Sequence, residues 1–296
     1  MDKIITSQVC ELKQLENLFI QLTYANCNLK CKHCYITPHK KLEKSDFISL
    51  DLIKNAIYTN ATKNVENIYL TGGEPLLHPQ FNSILRMCLK RTNTTIISNG
   101  ININDKKARF FAKVEDEFEN SNLYFKIGIE HFDELKVDDL KGRGTFRKSI
   151  NAVVSLLKYD FSPIILCANY YNESEEILIE GFNKVLAKFN ECLPQQNIKV
   201  IPYYDKSKET EEFVECNNIG EIDCKTSRIL TSNGVYCCNF LANDYRGRSG
   251  STLNEFSSKT YLEAPCCNLC LKENKKIFTD WLKFCKEFVH ASLFVI

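Results

Sequence analysis

Cys27, Cys31 and Cys34 are separated by three residues and then by two, a spacing at which thiolates wrap a compact iron–sulfur cube from one short loop. Three thiolates leave one iron of such a cube uncovered, and an uncovered iron can bind a substrate or cosubstrate. A second set lies far along the chain: six of the fifteen cysteines (Cys224, Cys237, Cys238, Cys266, Cys267 and Cys270) fall between 224 and 270. Met1 to Ile5 show no basic stretch running into an apolar one, so a secretory disulfide framework is a poor account of so many thiols. Two metal sites are the better account. Cys10, Cys88, Cys167, Cys192, Cys216 and Cys285 stand singly, mostly in apolar surroundings, and read as core fillers.

The elements that must position these residues alternate. Phe19–Thr23 reads as a strand running into the cysteine loop, and 49–59 as a helix with Ser49 as its N-cap. Strands follow at 67–71, 94–98, 124–129, 163–168 and 199–203, with helices at 81–90, 105–118, 146–157 and 173–189. That rhythm predicts an α/β fold, a partial (β/α)6 TIM-type barrel whose functional loops sit at strand C-termini. Both the cysteine loop and the run Gly72-Gly73-Glu74-Pro75 fall at such ends. The expected organisation is an N-terminal extension over 1–18, the barrel over 19–203, a polar linker over 204–223, a small metal-dependent module over 224–271, and an amphipathic C-terminal helix over 272–296.

Composition limits the function. The 296 residues carry 38 basic and 37 acidic side chains without a long single-sign run, so nothing electrostatic points to nucleic acid or an anionic membrane. No window is apolar for the ~18 residues of a spanning helix, and a cytoplasmic protein is expected.

In its motifs the chain resembles the radical S-adenosylmethionine (SAM) enzymes, through Cys27-x3-Cys31-x2-Cys34 after the first strand, Gly72-Gly73-Glu74-Pro75 after the second and Ser98-Asn99-Gly100 after the third. The resemblance implies a [4Fe–4S] cluster on Cys27, Cys31 and Cys34 whose open iron is chelated by the amino and carboxylate groups of SAM. Gly72, Gly73 and Glu74, or the backbone beside it, would seat the methionine amine, and Ser98 and Asn99 suit the ribose diol. His33 stands where the family has an adenine-contacting aromatic, with adenine near the sixth strand. Gly128-Ile129-Glu130 replaces the Ser-Leu-Asp of relatives with peptide substrates, and Lys141-Gly142-Arg143-Gly144-Thr145-Phe146 is similar to the family's Arg-Gly-x-Gly-Ser-Phe. Arg143 is either a partner for the SAM carboxylate or a helix-entry residue. Glu130, with a catalytic or substrate-contact role, His131 and Tyr203 to Asp205 are either cavity residues or solvated loop positions.

Cys224, Cys238, Cys267 and Cys270 resemble the ligands of the SPASM or twitch module in its one-cluster form, implying one auxiliary [4Fe–4S] cluster, although four thiolates in two pairs equally suit tetrahedral zinc. Whether Cys237 or Cys238, and Cys266 or Cys267, ligate is open. With Cys238 as ligand, Cys237 is either a hydrogen-atom donor to a substrate radical or an inert buried thiol. The family's chemistry is reductive cleavage of SAM to a 5′-deoxyadenosyl radical that abstracts a substrate hydrogen. The leading expectation is an oxidoreductase or isomerase acting on a ribosomally made peptide by epimerisation, crosslinking or dehydrogenation. A small-molecule dehydrogenase or rearrangement enzyme comes second, and a non-catalytic metal-binding or electron-transfer protein third. Expected partners are an electron donor of flavodoxin or ferredoxin type and, since about 26 residues precede Cys27, a separate leader-peptide recognition protein.

Overall fold

Short apolar runs alternate with capped helices, and in the computed structural model, which describes residues 8–24, 26–36, 47–205, 219–273 and 275–279, they wind into one sheet. After a short strand β1 (Val9–Glu11) come β2 (Asn17–Gln21), β3 (Asn67–Thr71), β4 (Asn93–Ser98), β5 (Leu123–Gly128), β6 (Ile164–Asn169) and β7 (Ile198–Pro202). β2 to β7 pair in parallel and in sequence order. β2 is buried at every position, as a parallel strand covered on both faces must be.

The connecting helices are α1 (Leu50–Ile57), α2 (Phe81–Leu89), α3 (Asp105–Glu115), α4 (Glu134–Lys141), α5 (Thr145–Leu157) and α6 (Glu175–Ala187). Ser49 caps α1 as expected, its side chain accepting from Leu52 N, while Asn104 and Asp133 do the same for α3 and α4. Alternation along β2 divides two cores. Leu18 and Ile20 pack with Ile53, Ile84, Phe111 and Val153 of the helices, whereas Phe19 faces the sheet's other side and stacks on Tyr69 with ring centroids 4.4 Å apart. Each such fully buried side chain is worth about 1.5–3 kcal/mol, so both faces contribute to holding the strands.

All six strands and five helices of the expected βα series are present. Two features were not expected. α4 is a short helix with Val137 and Leu140 buried but Leu135 exposed, too weak a pattern to stand out. The cysteine-rich segment also continues the sheet: β8 (Ser227–Thr231) pairs in parallel with β2, and β9 (Gly234–Tyr236), β10 (Arg248–Thr252) and β11 (Glu255–Phe256) follow in antiparallel order. The Ser232-Asn233-Gly234 turn joining β8 to β9 was a legible hairpin signal. β12 (Lys259–Tyr261) pairs with β1, and α7 (Cys267–Glu273) closes the described chain apart from residues 275–279. Most of the expected linker (206–218) and of the C-terminal helix (280–296) lies outside the described residues, as do Cys216 and Cys285. No described helix is long and apolar enough to cross a membrane.

Candidate active site

Parallel strands end at one edge, so the loops after β2 to β5 meet there. The cysteine loop is fastened to the end of β3 by backbone hydrogen bonds from Gly73 N to Thr23 O and from Glu74 N to Asn26 O, both 2.9 Å. A Cβ on Gly72 would stand 2.5 Å from Thr23 O and one on Gly73 2.4 Å from Asn26 O. The glycine pair is therefore required by the protein's own cysteine loop, and it is this close fit that fixes the loop over the strand ends.

A cavity of about 210 Å³ opens at this edge, and Cys27, Cys31 and Cys34 all line it together with Gly72 and Gly73. Leu29 N and Asn99 Nδ2 point at Cys27 Sγ, at 3.4 and 3.8 Å, which suits a sulfur carrying negative charge. Burial pushes the three thiols upward, Cys31 to about 12, so a metal group must displace their protons as it binds. Three thiols from one loop on one cavity wall fit a cluster with an open iron.

Glu74 is fully buried, and its carboxylate accepts from Ser98 Oγ at 2.9 Å, Asn99 N at 3.0 Å and Leu76 N at 3.1 Å. Burial pushes it up to about 6, against those hydrogen bonds. Ser98 Oγ also accepts from Gly100 N, and the Asn99 amide is engaged by Asn28 and Ile101 N. In this structure the Glu74 carboxylate and the Ser98 hydroxyl brace the end of β3 against that of β4, Glu74 away from the cavity lining and Ser98 within it. What this motif turns to the cavity is the backbone of Gly72 and Gly73 and the β4 end at Ser98 and Asn99.

Glu130, just beyond β5, lines the cavity and is nearly fully buried. His33 Nε2 donates to its Oε1 at 3.1 Å, and Lys141 Nζ lies 2.8 Å from its Oε2 while donating to Gly128 O at 2.6 Å. Burial alone would raise the Glu130 carboxyl, but the Lys141 charge and the His33 hydrogen bond outweigh it and hold it at about 2. His33 Nδ1 is buried and without a hydrogen-bond partner among the described residues. Arg143, by contrast, is exposed in the turn between α4 and α5 and does not line the cavity, so only the helix-entry reading survives. The cation in the site is Lys141, two residues earlier, and only α4 puts it there. His131 is buried off the cavity, with Nδ1 accepting from Asp133 N and Nε2 facing Glu173 at 2.9 Å. Tyr203 and Tyr204 reach the cavity wall and Asp205 does not.

The second cysteine group gathers on a separate cavity of about 20 Å³, lined by Cys224, Cys238, Cys267 and Cys270 and also by Cys266. The four expected ligands thus share one wall, a donor set that fits an all-thiolate cluster. Among the described residues no three His, Cys, Asp or Glu side chains close on a point as a single ion requires. Cys237 lines neither cavity; its Sγ lies 3.4 Å from where a Cβ on Gly247 would be, so the hydrogen-donor reading gives way to a buried thiol. Of the single cysteines, Cys88 and Cys167 are core fillers, Cys10 packs in the second core beside Cys224 and Cys267, and Cys192 is exposed, contrary to expectation.

Comparison with known proteins places this geometry. Relatives include a GTP 3′,8-cyclase of Psychromonas ingrahamii, 21% identical over 178 residues, 58% of this chain and 47% of that protein. Another is a GTP 3′,8-cyclase 3 of Mycobacterium bovis, 25% identical over 275 residues, 86% of this chain and 67% of that protein. The chain spans about half or less of the first of these curated relatives. Among solved structures, anSMEcpe with bound AdoMet superposes with a TM-score of 0.60 at 16% identity, covering 81% of this chain and 75% of that one. Streptococcus suis SuiB bound to S-adenosylmethionine gives 0.60 at 14%, covering 82% and 64%. These likenesses establish the fold, an α/β partial barrel. The radical SAM superfamily pattern matches residues 22–180, more than half of the chain and the whole span from the cysteine loop to α6, so the protein belongs to the radical SAM superfamily.

Proposed function

We propose that Cys27, Cys31 and Cys34 hold a [4Fe–4S] cluster whose open iron takes SAM, and that the protein modifies a peptide, by epimerisation, crosslinking or dehydrogenation, through a 5′-deoxyadenosyl radical. The observation that carries this reading is the convergence of the three thiols, the Gly72-Gly73 backbone and the Glu130–Lys141 pair on one cavity. Bound there and reduced, the cluster would supply the electron that cleaves SAM. The chain's own residues do the positioning. The backbone of the glycine pair would seat the SAM ammonium, Lys141 would offer the cation its carboxylate requires, and ionised Glu130 would accept from ribose hydroxyls. His33 Nδ1 supplies an acceptor for the adenine amino group, with the Tyr203 ring 6.5 Å away beside the end of β7. Cys224, Cys238, Cys267 and Cys270 would hold an auxiliary cluster of twitch type.

A peptide substrate is supported by the cavity's aromatic wall (Tyr35, Tyr203, Tyr204, Phe240) and by anSMEcpe, solved with AdoMet and a Cp18Cys peptide at a TM-score of 0.57 and 15% identity. A small-molecule rearrangement is the second reading, favoured by the names of the GTP 3′,8-cyclase relatives. Against a nucleoside triphosphate, Lys141 is the sole Lys or Arg among the described residues lining the cavity. An electron donor of flavodoxin or ferredoxin type is the expected partner. The test is 5′-deoxyadenosine formation by the anaerobically reconstituted, dithionite-reduced protein. It should appear with SAM and vanish in Cys31→Ala; a fully loaded protein that releases none defeats the proposal.

A further inference from the structure

The large cavity of Cys27, Cys31 and Cys34 and the small one of Cys224, Cys238 and Cys270 have two side chains in common, Phe240 and Phe278, with ring centroids 5.0 Å apart. Phe240 follows Cys238 by two residues, and its ring meets that of Tyr35, the neighbour of Cys34, at 5.3 Å. The Phe278 ring also meets Phe19 of β2 at 6.3 Å. Aromatic contact therefore runs without a break from one cysteine site to the other.

The backbone of Phe278 is gripped from both sides by buried charge. Asp223, the neighbour of Cys224, accepts from Ile277 N at 2.7 Å, Phe278 N at 3.0 Å and the Thr279 hydroxyl at 2.8 Å. Lys126, facing inward from β5, donates to the Phe278 carbonyl at 2.7 Å. Burying two opposite charges is costly unless their hydrogen bonds are satisfied, and here they converge on one three-residue segment that neither cysteine loop contains. Asp223, next in sequence to Cys224, thus ties the second site to a ring that lines the first cavity.

We propose that Phe278, clamped by Asp223 and Lys126, is a positioning residue: the partition through which the second cysteine site sets the first site's affinity for SAM. The inference rests on the reading of both sites given above. Coupling of this kind is reciprocal, and two changes that act through one partition are not independent.

The experiment measures SAM dissociation constants by equilibrium dialysis, together with the rate of iron release to a ferrous chelator, on the reconstituted full-length protein. The Cys267→Ala/Cys270→Ala variant should bind SAM about tenfold more weakly, and so should Phe278→Ala with all its iron retained. Combining them should weaken binding no further, and Phe278→Leu should restore it. Phe278→Ala should also release the second site's iron about tenfold faster, a readout that needs no SAM. Multiplicative effects in the combined variant, or unchanged affinity and unchanged release in Phe278→Ala, overturn the proposal. If the parent protein binds no SAM, the first-site reading fails and the inference falls with it. A parent holding about four irons defeats the second-cluster reading and the inference with it.

Discussion

Lys141 and Glu130 are each nearly buried and each compensates the other, so neither can be changed alone without leaving a buried charge short of its counter-charge. Lys141→Met should cost about 3–5 kcal/mol in chemical denaturation, the usual result of breaking a buried pair, and should weaken SAM binding in a dialysis assay by at least about tenfold. A pH effect follows with a definite sign. Glu130 is held at about 2, below the ordinary 4.5, so its contribution is full above 4.5 and is lost as the pH falls towards 2. In Lys141→Met the depression relaxes, so the stability lost between pH 4.5 and pH 2, read by chemical denaturation followed by circular dichroism, should be smaller than in the parent; an unchanged loss would show that Lys141 does not hold the carboxylate. The sequence exhibited both residues but could not pair them, because their contact depends on α4, eight residues with little amphipathic pattern. Arg143 drew attention two positions away for that reason.

The loops at the C-terminal ends of β2, β3 and β4 work as one fastened unit. Gly72 and Gly73 press against the backbone at Thr23 and Asn26, and Glu74 ties Ser98 and Asn99 to the same corner. Gly73→Ala would bring its Cβ to 2.4 Å from a backbone oxygen that cannot turn aside, an overlap of the sort that costs about 1–3 kcal/mol or displaces the loop. Iron analysis should then show selective loss of the first site's content, with the second site's retained. Full iron at both sites would mean that the glycines serve the ligand rather than the loop. Sequence spacing marked this motif plainly, since a glycine pair after a strand announces close approach. It could not say what approaches, and in the structure it is the protein's own backbone.

Across the whole molecule, β8 places the cysteine-rich segment beside β2 in the same sheet, and Asp223, just ahead of it, ties that segment to residues 277–279. Two cysteine cavities thereby come to share Phe240 and Phe278. In a Cys267→Ala/Cys270→Ala variant iron and sulfide should fall from about eight of each to about four; unchanged iron would exclude a cluster at the second site. The amino-acid sequence by itself determined the βα alternation, the cysteine triplet and its place at a strand end, because periodicity and ligand spacing are local properties of a chain. It also separated two cysteine groups, since clustering is visible in one dimension. Only the tertiary structure decided that Glu74 and Ser98 brace strand ends, that Lys141 rather than Arg143 enters the cavity and that Cys237 turns away from it. Glu74 and Ser98 meet across 24 positions and His33 and Glu130 across 97, while the places of Lys141 and Cys237 depend on which way a buried side chain faces, and neither is encoded in local spacing.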